Sequence, residues 1–132
     1  METENALPDK FIRTYQRSQI VFAEGSVGKE MYVIYSGKVS LHADMASNGG
    51  KLLANLEAGD FFGEMALVDD SPRSATAITD EDNTQLVVLD QNRFTYLLLH
   101  QPDFALLVMG TLCQRLREAN KTIMLNEARH GG

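Results

Sequence analysis

The sequence has little cysteine, no tryptophan and no long apolar run. Its one cysteine, Cys113, excludes an internal disulfide and a zinc site built from several cysteines. The longest uncharged apolar stretch, 104–113, is too short to cross a bilayer. The first residues also lack the basic and apolar regions of a signal peptide. We therefore expect a soluble protein of the cytoplasm with no membrane partner.

Positive charge is scarce as well. Twelve Lys and Arg residues are set against eighteen Asp and Glu residues, which gives a net charge of -6. Because proteins bind nucleic acids through surfaces on which cations cluster, we expect no nucleic acid to bind to this chain alone. A bound anion would need a local set of donors to hold it against this background. The 132 residues are enough for one domain with its own core.

The glycines are unevenly distributed, since seven of the ten fall between Gly25 and Gly63. They separate short runs rich in β-branched and aromatic residues, which predicts strands and tight turns. The predicted strands are 11–15, 20–23, 31–35, 39–43, 51–56, 74–79 and 85–89. Strands of this length and spacing predict a mainly β fold with α, a double-stranded β-helix or jelly-roll barrel over about 11–89.

From Asp90 onward, over about 90–128, the pattern is helical. Asp90 is placed to cap the N-terminus of a helix that runs to Leu99, and Pro102 suits the first turn of a second helix. The start of that second helix is apolar on nearly every face, which predicts burial. Its apolar residues also recur at steps of three and four between charged positions, at Ala105, Val108, Leu112, Leu116, Ala119 and Ile123. Such a stripe predicts a homodimer through helix 102–128, with docking against the chain's own barrel as the alternative.

Between the two patterns lies a segment, 59–77, that fits neither a strand nor an ordinary helix. Its run 63–67 suits one turn of helix, whose first backbone N–H groups are natural anion ligands. Arg73 is the only cation in the segment. From the residues alone, two interpretations of Arg73 stay open: a surface salt bridge with a nearby acid, or a guanidinium that pairs with a phosphate.

The order of residues around this segment resembles the cyclic-nucleotide-binding domain family, of the bacterial catabolite-activator type. The run 63–67, a short acidic loop and the run 72–77 are similar to the phosphate-binding cassette of that family. Further matching residues are Phe22, Glu24, Gly25, Leu56, Leu89, Asp90 and the runs 31–39, 59–64 and 115–118. The resemblance covers about 11–125. It implies a single domain over 1–132 that binds cAMP, or alternatively cGMP, with no cofactor, no metal and no catalytic residue.

The resemblance also implies which groups bind the phosphate. Arg73 would pair with the exocyclic phosphate oxygens. Backbone N–H groups around Ser74 and Ala75, and of the turn that starts near Glu64, would complete the site. The hydroxyl of Ser74 could reach the phosphate or a purine edge, and the likeness to catabolite-activator-type domains favours cAMP over cGMP.

For the sugar, the resemblance assigns two neighbouring residues. Glu64 would accept a hydrogen bond from the ribose 2′-hydroxyl, and Gly63 would let the backbone approach the sugar. Met65 and Ala66 would pack beneath the ligand. Phosphate capture would pull the cassette inward and reposition the helices that follow Asp90.

Three other functions can be weighed on the residues. A metal-dependent enzyme on the same fold would need clustered ligands, but His42, His100 and His130 are scattered, so no enzyme is expected. A transcription factor would append a helix-turn-helix after the last helix. The chain is accordingly expected to be a stand-alone sensor or the trimmed sensor domain of a larger transcription factor, channel or kinase regulator. A degenerate β-roll that serves protein–protein contact is the third alternative, and the presence of both Glu64 and Arg73 argues against it.

Overall fold

Strands fill the first part of the chain and helices the last part, in a computed structural model that describes residues 11–46 and 49–131, with the backbone alone for 122–131. The strands are β1 (Ile12–Tyr15), β2 (Ile20–Phe22), β3 (Met31–Ser36), β4 (Lys38–Ala43), β5 (Lys51–Glu57), β6 (Phe61–Phe62), β7 (Thr76–Thr79) and β8 (Thr84–Leu89). A 3₁₀ helix, Glu64–Leu67, precedes β7, and the helices α1 (Gln91–His100) and α2 (Pro102–Gly131) follow β8. The chain divides into two compact units, Met1–Phe94 and Thr95–Gly132.

The strands of the first unit form two antiparallel sheets. One has the order β1-β8-β3-β6 and the other the order β2-β7-β4-β5. In the first sheet Tyr32 lies opposite Val88, and in the second Leu41 lies opposite Ala77. Strands distant in sequence are thus neighbours in each sheet, as in a jelly roll. The predicted fold class, mainly β with two helices after it, is confirmed.

The core takes side chains from both sheets. Its buried members are Tyr32, Ile34, Val39, Phe62, Ala77, Leu86 and Val88. Alternate residues of β3 and β8 supply most of them, because side chains of a strand alternate between its two faces. Phe22 packs against this cluster, with its ring centroid 5.8 Å from those of both Tyr32 and Phe62. These three aromatic rings extend to the edge of the core, where Phe22 contacts Arg73.

Most predicted elements lie within two residues of the observed ones, and the differences have simple causes. The strand β6 was not predicted, because two residues are too few to show a period. The strand β7 begins at Thr76 rather than at Ser74. The predicted helical turn at 63–67 is confirmed as the 3₁₀ helix, with Gly63 preceding it. The predicted cap of α1 is also confirmed, since the Arg93 N–H donates to Asp90 Oδ1 over 2.8 Å.

One prediction about α2 is wrong for the single chain. The start of this helix was expected to be buried on all sides, but Leu106 is 66% exposed and Met109 is 60% exposed, while Val108 is buried. An apolar run predicts burial only where other elements cover every face. Within the described part of the chain, no single helix is long and apolar enough to cross a membrane; α1 joined to Pro102–Lys121 as a bent pair meets that test on length and composition.

The turn between β3 and β4 gives a test of the fold. Gly37 has a φ of +94°, and a Cβ there would come 2.8 Å from Thr84 Cα. We expect Gly37→Ala to lower the free energy of unfolding by about 2–4 kcal/mol, because left-handed strain adds to a clash with backbone. Urea unfolding measures the change. Gly59→Ala is the control, since Gly59 has the same φ with no atom within 4 Å of an added Cβ. Equal losses in the two variants would contradict the clash.

Candidate functional site

Arg73 is buried although it carries a charge, with 7% of its surface exposed. Its Nη1 donates to the carbonyl oxygen of Gly63 over 3.1 Å, and its Nη2 donates to that of Glu30 over 2.8 Å. The guanidinium carbon lies 4.2 Å from the centroid of the Phe22 ring and 5.9 Å from that of Tyr32. Two carbonyls and two aromatic rings therefore hold the cation.

One nitrogen of this guanidinium has no hydrogen-bond partner among the described residues. That nitrogen is Nε, which is buried. A buried donor without a partner costs about 1–3 kcal/mol, so such a group needs a physical explanation. An anion whose oxygen reached Nε would remove this cost. The arrangement favours anion binding at Arg73.

Asp69 and Asp70, two acids near Arg73 in sequence, have other partners. Lys29 Nζ pairs with the Asp70 carboxylate, and the hydrogen bond from Lys29 holds the pKa of Asp70 below its ordinary value. Asp69 Oδ1 accepts a hydrogen bond from the Ser71 N–H over 2.9 Å. Since Arg73 is itself buried, an exposed surface salt bridge is the wrong interpretation of this residue.

The main chain of Arg73 is fixed by the β2–β3 loop, residues 23–30. The Gly25 N–H donates to the Arg73 carbonyl over 2.8 Å, and the Arg73 N–H donates to the Ser26 carbonyl over 2.7 Å. The same loop supplies the Glu30 carbonyl that accepts from the side chain. Both the backbone and the guanidinium of Arg73 are thus positioned by this one loop.

The Glu30 side chain is held as well. The Tyr32 hydroxyl donates to Glu30 Oε1 over 3.4 Å, and Arg13 Nη2 lies 3.7 Å from Glu30 Oε2. Burial, followed by the charge of Glu30, raises the pKa of Tyr32 to about 12. The phenol is accordingly protonated at neutral pH and can donate to the carboxylate. Tyr32 and Arg13 thus position the Glu30 side chain, while the Glu30 backbone carbonyl accepts the hydrogen bond from Arg73.

The cassette begins at Gly63, which has a φ of +77°. Its carbonyl accepts from the Ala66 N–H over 3.2 Å as well as from Arg73 Nη1, so it joins the arginine to the 3₁₀ helix. A Cβ at this position would come 2.9 Å from Arg73 Nη1 and 3.2 Å from the Phe22 ring. Glycine is required here both for its backbone conformation and for the space beside the guanidinium.

The other predicted site residues lie in different surroundings. Glu64 follows Gly63 in the chain and is half-buried. Met65 is 56% exposed, and Ala66 lines a neighbouring cavity. Ser74 is exposed, whereas Ala75 is buried. The structure brings Arg73 into contact with Gly63. The ligand contacts of all seven predicted site residues stay predictions.

A cavity of about 390 Å³ lies between the cassette and the start of α1. It is lined by Lys29, Ala66, Leu67, Val68, Asp69, Asp70, Asp90, Gln91 and Asn92. Neither Glu64 nor Arg73 lines it, so it is distinct from the space at the arginine. Gln91 Nε2 donates to the Leu67 carbonyl over 3.4 Å, a long hydrogen bond that links two of the lining residues.

Sequence reasoning missed the residues that hold Arg73. Phe22, Glu30 and Tyr32 precede it by 41 to 51 positions, and no period or spacing connects them to it. Phe22 and Tyr32 are among the residues that carry the family resemblance, and that resemblance is the signal that could have singled them out. Among the described residues, no group of three or more potential metal ligands comes together.

These features define a class of protein domain. It is a β-roll of two antiparallel sheets in which a buried arginine lies beside a short helix that follows a glycine. The model of one family, the cyclic nucleotide-binding domain, matches residues 12–101. The chain belongs to this family. The resemblance drawn from the sequence is therefore confirmed.

Three known proteins illustrate the relationship. The Cyclic AMP receptor protein of Thermus thermophilus is 36% identical over 108 residues, which cover 82% of this chain and 50% of that protein. The crystal structure of the Thermus thermophilus Catabolite Activator Protein is similar with a TM-score of 0.72 and 35% identity, over 86% of this chain and 53% of that one. The chain thus spans about half the length of these relatives.

The third is an EAL enzyme solved with two ligands. Its cAMP-bound form gives a TM-score of 0.59 and 31% identity, over 86% of this chain and 30% of that one. Its cGMP-bound form gives a TM-score of 0.59 and 28% identity, over 84% of this chain and 29% of that one. The same fold is therefore found in an enzyme as well as in receptor proteins.

Proposed function

We propose that this chain binds a cyclic nucleotide, cAMP or alternatively cGMP, as a regulatory module for signal transduction with no catalysis of its own. The observation that carries the proposal is the buried guanidinium of Arg73 with its unpartnered Nε. A cyclic phosphate offers one negative charge and oxygens that accept from such a donor. Similarity to the Cyclic AMP receptor protein supports cAMP, and the EAL enzyme solved with either nucleotide keeps cGMP as the alternative. We place the module in the cytoplasm, without a nucleic-acid or membrane partner.

In the proposed complex the phosphate lies at Arg73, with the N–H groups around Ser74 and Ala75 as further donors. Glu64 accepts a hydrogen bond from the ribose 2′-hydroxyl, and Gly63 lets the sugar approach. The half-buried position of Glu64, directly after the residue that bonds Arg73, supports this pairing of sugar and phosphate sites. Met65 and Ala66 line the ligand from the cassette side, where Met65 is exposed in the single chain.

Ligand capture is proposed to reposition the helices after Asp90. The cassette and the start of α1 share the 390 Å³ cavity, which leaves room for the cassette to move. Their link is the hydrogen bond from Gln91 Nε2 to the Leu67 carbonyl, 3.4 Å long. A ligand shifts this arrangement only as far as it binds one position of the cassette more tightly than the other.

A homodimer through helix 102–128 is a further part of the proposal. On the predicted stripe, Leu112 is 46% exposed and Leu116 is 63% exposed, so both leucines are available to a second copy. Burial of two leucines from each chain would contribute about 1.5–3 kcal/mol per side chain. The last stripe residue, Ile123, lies outside the described side chains.

The phosphate role is tested with Arg73→Ala. We expect affinity to fall by roughly 30- to 1000-fold, about 2–4 kcal/mol, because a buried charge partner is lost. Calorimetric titration with cAMP and cGMP side by side measures it. Arg93→Ala is a matched control, since Arg93 also lies over a ring, 4.0 Å from the Phe11 centroid, and donates to the Val88 carbonyl. Unchanged affinity in Arg73→Ala would remove Arg73 from the site. A wild-type chain that binds neither nucleotide would favour the degenerate β-roll.

The sugar role is tested with Glu64→Gln. The amide keeps an acceptor but loses the charge, so the preference for a ribo over a 2′-deoxy cyclic nucleotide should fall by roughly fivefold, about 1 kcal/mol. The ratio of the two affinities in each variant measures the effect. Glu57→Gln, at an exposed end of β5, should leave the ratio at its wild-type value. A ratio that Glu64→Gln does not alter rules out the assigned contact.

The dimer is tested with Leu116→Glu. A carboxylate on the stripe should shift the sedimentation coefficient toward that of the monomer, because burial of an unpaired charge is costly. Gln114→Glu places the same side chain at another exposed position of α2 and should leave sedimentation unchanged. If Leu116→Glu sediments like the wild type, the stripe is not the interface.

A further inference from the structure

Gly28 lies in the β2–β3 loop, directly beside the Arg73 guanidinium. An ideal Cβ at Gly28 would come 2.6 Å from Nη2, 3.1 Å from Nε and 3.2 Å from Cζ of Arg73. The first distance is closer than real Cβ contacts, so a side chain at this position displaces the guanidinium. The φ of Gly28 lies outside the left-handed range, so the backbone itself does not require glycine here. The missing side chain is the property that matters.

The guanidinium cannot move aside without losing its partners. Phe22 lies against it at 4.2 Å, and Nη1 and Nη2 are bonded to the Gly63 and Glu30 carbonyls. A Cβ at Gly63 would also come 2.9 Å from Nη1. Two glycines thus border the cation, Gly28 beside Nη2 and Nε and Gly63 beside Nη1. An alanine at 28 therefore breaks the contacts of Arg73, while the flexible arginine side chain absorbs the clash and the backbone is spared.

We infer that Gly28 is a positioning residue for anion capture, because its lack of a side chain sets where the unpartnered Nε of Arg73 lies. The inference rests on the proposed function. It adds a residue outside the cassette, 45 positions before the arginine, to the set that determines affinity. Gly28 acts through Arg73 and does not itself bind the ligand.

The first experiment compares affinities. Gly28→Ala should bind cAMP and cGMP at least tenfold more weakly than the wild-type chain in calorimetric titration. Gly110→Ala is the matched control, because Gly110 has no left-handed φ and no atom within 4 Å of an added Cβ. That variant should bind with wild-type affinity. If the wild type binds and Gly28→Ala binds equally well, the inference is overturned and the proposed function stands.

The second experiment separates positioning from a general effect on the loop. In an Arg73→Ala background there is no guanidinium to displace, so adding Gly28→Ala should change the remaining affinity by less than twofold. A tenfold loss in both backgrounds would mean that Gly28 acts on the loop and not through Arg73. If Gly28→Ala alone does not fold, the double variant must fold, and a double variant that also fails to fold overturns the inference.

The third measurement does not depend on a ligand. The ¹H–¹⁵N spectrum of the arginine side chains, assigned with Arg73→Lys, reports on Nε directly. We expect the free Gly28→Ala chain to show a displaced Arg73 Nε signal with the other arginine signals in place. An unmoved signal overturns the inference. A wild-type chain that binds neither nucleotide would refute the proposed function, and this spectrum would still decide whether Gly28 positions Arg73.

Discussion

The site depends on one buried cation. A guanidinium that leaves water must find acceptors for its donors, and Arg73 finds the carbonyls of Glu30 and Gly63 and the ring of Phe22. These partners come from β2, from the loop before β3 and from the cassette. The arginine therefore has its position only when strands of both sheets are in place. The site depends on the β-roll, because Phe22 and Glu30 are brought to Arg73 from distant parts of the chain.

The kind of acceptor matters for what the site can bind. Carbonyl oxygens satisfy N–H donors but carry no net charge, so these two bonds fix the guanidinium without neutralising it. An anion that reaches Nε meets a full positive charge at short range, inside a chain whose net charge is -6. Attraction of an anion depends on this local cation, because the net charge of the chain is negative. The composition led us to expect a local set of donors for any bound anion, and Arg73 supplies such a donor.

The sequence predicted what is encoded locally. Strands and the turn at 63–67 follow from β-branched runs, glycines and a short helical pattern, and the order of the cassette residues identified Arg73. The partners of Arg73 could not be predicted, because Gly28 and Glu30 are brought to it by strand pairing rather than by spacing. The expected burial at the start of α2 was wrong for a related reason, since composition does not tell which faces other elements cover.

The strengths of the contacts around the cassette indicate where it can move. Arg73 ties it to the β2–β3 loop through buried bonds, while the exposed Lys29–Asp70 pair adds little because solvent screens its charges. On its other side the cassette meets the start of α1 across a cavity, through one 3.4 Å hydrogen bond from Gln91 to Leu67. The contact between the cassette and α1 is weaker than the bonds of Arg73, so we expect it to break first. A ligand that pulls on Arg73 should therefore carry the β2–β3 loop and the cassette together, and the displacement should appear where Leu67 faces Gln91.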